Sequence, residues 1–148
     1  MYRHVLVAID GSHTSDMALG EAIRLAKDQG ARLLIVHAVD ETIVPWGAEY
    51  IDPTDFWKFT VQSWREILDK ATAAVAAAGL SAETKLIEIK TPGRRIPEVI
   101  AAEADAWPAD IIVAGTHGRH GLSHVFIGSI AEGIIRVATK PVLLIREK

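Results

Sequence analysis

A chain of 148 residues and 16.1 kDa has the size of a single domain, residues 1–148, able to bury roughly two-thirds of its unfolded surface. With a formal charge of −3 it lacks the basic excess that a phosphate backbone draws on, so nucleic acid is not expected as a main ligand; with no cysteine it can form no disulfide framework, thiolate metal site or thiol nucleophile. The 49% hydrophobic fraction and mean hydropathy of +0.19 fit a sheet covered on both sides, no apolar run is long enough for a membrane span, and Met1-Tyr2-Arg3-His4 lacks a signal-peptide pattern, so the cytoplasm is the expected compartment.

Val5 to Ile9 reads as a first strand, ending in the turn Asp10-Gly11-Ser12. Ala18, Ala22 and Leu25 then recur at helical spacing, and Gly30 stands where a helix C-terminal glycine belongs. Leu33 to Val39 is a second buried strand, ending at Asp40. From Glu41 to Pro53 the pattern breaks into a long loop punctuated by Pro45, Gly47 and Pro53, with Trp46 and Tyr50 in a position to form a lid, an oligomer contact or a loop anchor. A helix follows from about Thr54, with Val61, Trp64, Leu68, Ala71, Val75 and Ala78 on one face and Gly79 closing it. Trp57, Phe59 and Trp64 on that helix are expected in the core. Thr84 to Ile89 is a third strand, Thr91-Pro92-Gly93 a turn, and Ile96 to Ala104 a short helix. Ile111 to Ala114 is a fourth strand, a helix follows Ser129 until Lys140-Pro141 stops it, and Val142 to Ile145 is the last strand.

Five strands alternating with four helices predict an α/β fold: a parallel sheet, helices on both faces and right-handed crossovers, with ligands at the carboxyl ends of the strands where the winding reverses. If the order is 3-2-1-4-5, Asp10 and Gly115 become neighbours across that switch point. The loop there reads Gly115-Thr116-His117-Gly118 and, after nine residues, Gly128-Ser129. Glycine permits positive φ and close approach, and a helix start offers free N–H groups and the positive dipole end to an anion. The spacing matches neither the Walker loop, since no Lys precedes Ser129, nor the dinucleotide fingerprint. It is a candidate phosphate cradle.

These residues resemble the universal stress protein family, ATP-binding branch, over essentially the whole chain. The resemblance rests on Val5-Leu6-Val7-Ala8-Ile9-Asp10-Gly11-Ser12, on His37-Ala38-Val39-Asp40, on Gly115 to Leu122 with Gly128-Ser129-Ile130-Ala131-Glu132, and on Pro141 to Ile145. It implies a single-domain three-layer sandwich of the adenine nucleotide alpha hydrolase-like type, with sheet order 3-2-1-4-5. It also implies ATP in the cleft, with Mg²⁺ as a possible companion, and a homodimer through Val142 to Ile145. By the same resemblance Asp10 accepts from the adenosine part, Ala8 lines the adenine and the Ala38 backbone bonds its edge. The N–H groups of Gly118, Arg119, Gly128 and Ser129 hold phosphates, helped by the Ser129 hydroxyl and the Arg119 charge, and Ala114, Gly115 and Ile130 line the site. Thr91-Pro92-Gly93-Arg94-Arg95 departs from the simpler turn of many members.

Each of these positions has a plainer reading. Asp10 can be a turn residue, and Ser129 a helix cap, worth about 1 kcal/mol. His117, His120 and His124 sit in a loop without a carboxylate pattern, so neither a metal site nor a catalytic base is assigned to them. His37 reads as a packed residue satisfied by backbone, and Glu132 with Arg136 as a helical ion pair. The uncharged edge strand Val142-Leu143-Leu144-Ile145 independently invites pairing with a second chain.

The function expected from this reading is that of an ATP-binding, dimeric, cytoplasmic sensor or regulator in stress response, with an unidentified protein partner and at most slow hydrolysis. No catalytic residue is assigned, because the loop offers no clear base and no Walker lysine. The alternatives are a nucleotide-free protein of the same fold acting only through partners, and an enzyme such as a nucleotidyltransferase or ATP pyrophosphatase. The loop Asp10-Gly11-Ser12-His13 lacks the His-x-Gly-His and Ser-Gly-Gly-x-Asp-Ser signatures of those enzymes.

Overall fold

A computed structural model describes residues 1–42, 47–117 and 127–147. Its parallel sheet runs β3-β2-β1-β4-β5, with β1 His4–Ala8, β2 Arg32–Asp40, β3 Glu83–Ile89, β4 Ile111–Gly115 and β5 Val142–Ile145. The helices are α1 His13–Gln29, α2 Pro53–Ala77, α3 Ile96–Ala106 and α4 Ser129–Val137, and a single 3-10 turn, Ala48–Tyr50, lies within the long loop. The order is the one implied by the resemblance, so the winding reverses between β1 and β4.

Two-residue alternation explains the layers. Val5, Val7, Leu33, Ile35, Ile111 and Val113 face α1 and α2, packing on Ala18, Ala22, Ala71 and Val75. Leu6, Leu34, Val36 and Ile112 face α3 and α4, packing on Ile100, Ala104 and Ile134. Val5, Leu6 and Val7 are wholly buried, so β1 carries apolar side chains on both faces, each side chain gaining about 1.5–3 kcal/mol. The helix boundaries follow local chemistry. Ser12 caps α1 by accepting from the Ser15 N–H at 3.2 Å, and Gly30 ends it at φ 63°. Asp52 caps α2 ahead of Pro53, one residue before the expected start. Glu132 and Arg136 form the expected ion pair at 2.8 Å.

The aromatic residues of α2 depart from expectation. Only Ala71 and Val75 of this helix are buried, while Trp57 is 42% and Phe59 73% exposed, and Trp64 is half-buried. The reason is length. A helix of 25 residues spans about 37 Å, whereas the strands beneath it, β2 of nine residues and β3 of seven, cover about 30 and 23 Å, so the first turns of α2 overhang the sheet. Trp57 packs instead on Phe56 and Trp64, with ring centroids 6.0 and 6.2 Å apart. Tyr50 is 86% exposed, and Trp46 lies outside the described residues.

Opposite the switch point, Asp110 ties the chain start to the sheet, its Oδ2 accepting from the N–H groups of Arg3 and His4 at 2.7 and 2.9 Å. These two bonds hold its carboxyl below the ordinary 3.8. A depressed carboxylate stabilises the fold above its unfolded pKa and loses that contribution as pH falls through the folded one. Asp110→Ala is therefore expected to cost about 1 kcal/mol at neutral pH, with the gap to wild type closing as urea denaturation is repeated from pH 5 downward past 3.8.

Helices α3 and α4 approach closely at Gly133, where an added Cβ would lie 2.5 Å from Pro97 Cγ. Alanine is the better helix former by about 1 kcal/mol, but overpacking costs about 1–3 kcal/mol, so the steric term wins. Gly133→Ala should lower the denaturation midpoint; a raised midpoint would contradict this packing.

Candidate nucleotide-binding cleft

At the carboxyl rim, β1 leads into Asp10-Gly11-Ser12 and β4 into Thr116-His117. Gly11 takes φ 83°. Asp10 Oδ1 accepts from the Ser12 N–H at 2.9 Å, the turn-forming bond open to Asp at such a position, and the Asp10 N–H donates to Ser15 Oγ at 3.0 Å. Its other carboxylate oxygen has no partner among the described residues.

The start of α1 is clamped to the exit of β4. The Thr14 hydroxyl donates to the His117 carbonyl, joined by Ser12 Oγ at 3.4 Å, while Thr116 N–H donates to Ile145 O at 2.9 Å and Thr116 Oγ1 lies 2.9 Å from His117 Nδ1. Gly115 is what permits the clamp. A Cβ there would sit 2.8 Å from the backbone carbon of Thr14, in the way of α1 rather than of a ligand. Gly115 does not use positive φ, contrary to expectation.

The start of α4 also differs by one residue. Gly128, at φ −64° and ψ 159°, is the cap, without a side-chain bond, and Ser129 is the first helical residue. Both residue types suit a cap, which is why the sequence leaves the choice open. The Gly128 N–H donates to Thr116 O at 2.6 Å. The N–H groups of Ser129, Ile130 and Ala131 precede the first intrahelical bond, Glu132 N–H to Gly128 O at 2.9 Å, and have no partner among the described residues.

Between these ends the sheet is lined by small side chains. Ala8 and Ala114 are direct partners across β1 and β4, and with Ala38 and Ile130 they lie on the α3–α4 side of the sheet. Three methyl groups at the strand ends leave a shallow apolar floor beside the open start of α4. Of the residues expected to form the site, Ala8, Asp10, Ala38, Ala114, Gly115, Gly128, Ser129 and Ile130 stand on this rim or its floor; Gly118 and Arg119, with His120 and His124, lie outside the described residues.

His37 is packed as expected, its Nδ1 2.9 Å from Ile9 O. No group of three His, Asp or Glu able to hold a metal occurs among the described residues. Farther along the rim the Glu41 carboxyl is pushed above its ordinary value, chiefly by desolvation and then by the hydrogen bond and like charge of Glu88, with Lys90 opposing. Thr14, which shapes the mouth, escaped sequence reasoning, its signal being a hydroxyl two residues beyond the first turn, and His117, read there as a loop histidine, contributes its backbone carbonyl.

A sequence model of the universal stress protein family matches residues 1–146. The chain belongs to that family. It is similar to a putative universal stress protein of Staphylococcus aureus, at 29% identity over 145 residues, 98% of this chain and 84% of that protein. A solved universal stress family protein from Burkholderia pseudomallei is 32% identical with a TM-score of 0.75, covering 99% of this chain and 97% of that one. A universal stress protein of Archaeoglobus fulgidus, solved in complex with dAMP, is 27% identical with a TM-score of 0.69 and 98% coverage of both chains. No helix among the described residues is long and apolar enough to cross a membrane.

If Gly115 serves the clamp, Gly115→Val should cost about 1–3 kcal/mol with no nucleotide present, by urea denaturation. An unchanged midpoint would return Gly115 to a purely ligand-facing role.

Proposed function

We propose that this protein binds an adenine nucleotide, ATP in the first instance, and acts as a nucleotide-dependent cytoplasmic regulator in stress response. The observation that carries this reading is the start of α4: three backbone N–H groups with no partner among the described residues stand at the switch point beside an apolar floor of Ala8, Ala38 and Ala114. A relative of known structure binds dAMP. In the proposed pose the adenine lies on the alanine floor with its edge at the Ala38 backbone, and the unpartnered Asp10 oxygen takes the ribose hydroxyls. The phosphates meet the N–H and hydroxyl of Ser129 and the N–H groups of Ile130 and Ala131, with Gly118, Arg119 and Gly128 completing the cradle. Any Mg²⁺ is carried mainly by the phosphates.

The protein is read as a binder rather than a fast enzyme, since phosphoryl transfer needs a positioned base and strong charge neutralisation, whereas no Walker lysine precedes Ser129 and Asp10 is assigned to the ribose hydroxyls. A homodimer through the uncharged edge strand β5, where Leu143 is 37% exposed, would cap the sheet and leave the cleft open. One observation favours the nucleotide-free alternative: the Gly128 N–H is already committed to Thr116 O.

Calorimetry separates the two readings. Sub-millimolar ATP binding, on the order of 5 to 8 kcal/mol, is expected, lost largely in Gly128→Val. Ser129→Pro is the sharper variant. Proline is favoured at the first helical position and removes only the N–H and hydroxyl, so the fold should stand while affinity falls at least about tenfold, the loss of two charge-assisted hydrogen bonds. No heat of binding by the native chain would leave the nucleotide-free reading.

A further inference from the structure

On the face of the sheet opposite the alanine floor, α1 and α2 stand apart over a cavity of about 490 Å³ with an apolar floor of Ile9, Leu19, Ile23 and Ala71. Charged Asp16, Glu66 and Lys70 are in its lining, and Gly11 of the rim turn also lines it. Gly20 leaves its wall open, since a Cβ there would meet nothing within 4 Å. One turn along α2 from the rim residue Ser63, Phe59 is 73% exposed. An apolar hollow and an unburied aromatic thus lie side by side on one surface. They cannot join within one chain, because Phe59 and the rim belong to the same rigid helix.

Steps of four, three and four residues carry Phe59, Ser63, Glu66 and Lys70 along one side of α2, with Asp55 a turn before Phe59. We propose that this surface is a self-recognition site: α2 packs antiparallel on α2 of a second copy, and each Phe59 enters the other copy's α1–α2 cavity. Charge selects the arrangement. Neither Asp55 nor Lys70 has an ion-pair partner among the described residues. When the two-fold axis passes between Gln62 and Ser63, Asp55 of each copy stands opposite Lys70 of the other and Phe59 opposite Glu66 at the cavity mouth. A parallel alignment sets Asp55 against Asp55 and Lys70 against Lys70 and is repelled. The small Ser63 beside the axis lets the helices come close. This contact does not use β5, so together with pairing of β5 it closes a tetramer with two kinds of two-fold interface.

Sedimentation equilibrium on the full chain tests the proposal. Phe59→Glu removes the key, and Gly20→Leu fills the lock while replacing a helical glycine at an open position. Each should halve the assembly mass with unchanged circular dichroism, from tetramer to dimer if β5 pairs and from dimer to monomer if it does not. Lys70→Asp should weaken association at least tenfold, and adding Asp55→Lys should restore it. The same mass for wild type, Phe59→Glu and Gly20→Leu overturns the proposal, as does uptake of a small apolar probe by a cavity whose filling changes no mass. Failure of the double charge reversal to restore association overturns this register.

Discussion

The contact between the start of α1 and the exit of β4 governs what this molecule can do. Thr14 lies so near residue 115 that only hydrogen fits between them, and its hydroxyl, with that of Ser12, holds the His117 carbonyl. That clamp draws the turn after β1 and the segment after β4 together at the one place where a 3-2-1-4-5 sheet reverses its winding. Helices leaving β1 and β4 pass to opposite faces there, so a crevice follows from topology. The clamp sets its width.

The crevice combines two features that rarely coincide by accident. Small side chains at Ala8, Ala38 and Ala114 withhold the bulk that fills the same face deeper in the sheet, at Leu6, Val36 and Ile112. Beside them α4 begins with a glycine cap that contributes no side-chain bond, leaving the backbone donors to other partners. An apolar floor next to N–H groups with no partner among the described residues suits a flat base joined to an anion. The proposal of an adenine nucleotide rests on that pairing.

Much of the architecture was legible because the relevant signals are local. Unbroken apolar runs such as Val5–Val7 and Ile111–Val113 mark strands buried on both faces, and Gly30 and Gly79, at φ 63° and 80°, mark helix ends that a side chain resists. The misreadings share a cause. Periodicity shows which side of α2 is apolar but not whether anything lies beneath it, so Trp57 and Phe59 read as core while the sheet ends short of them. The glycine at 115 reads as room for a ligand, yet the atoms that approach it belong to Thr14, far earlier in the chain, which a sequence cannot show. Asp10 forms the turn through one carboxylate oxygen, and the other has no partner among the described residues.

The overhang of α2 gives the molecule a second surface, on the face of the sheet opposite the alanine floor, where Trp57 and Phe59 stand in solvent. Binding at one face of the sheet and assembly at the other would let a regulator report its ligand through its contacts. The central claim concerns the crevice, and amide NMR reads it residue by residue. Adding ATP to the labelled chain should shift the N–H resonances of Ser129, Ile130 and Ala131 most strongly, with smaller shifts at Ala8, Asp10, Ala38 and Ala114. Saturating ATP that leaves those amides unmoved, or moves those of α1 and α2 instead, would contradict the account.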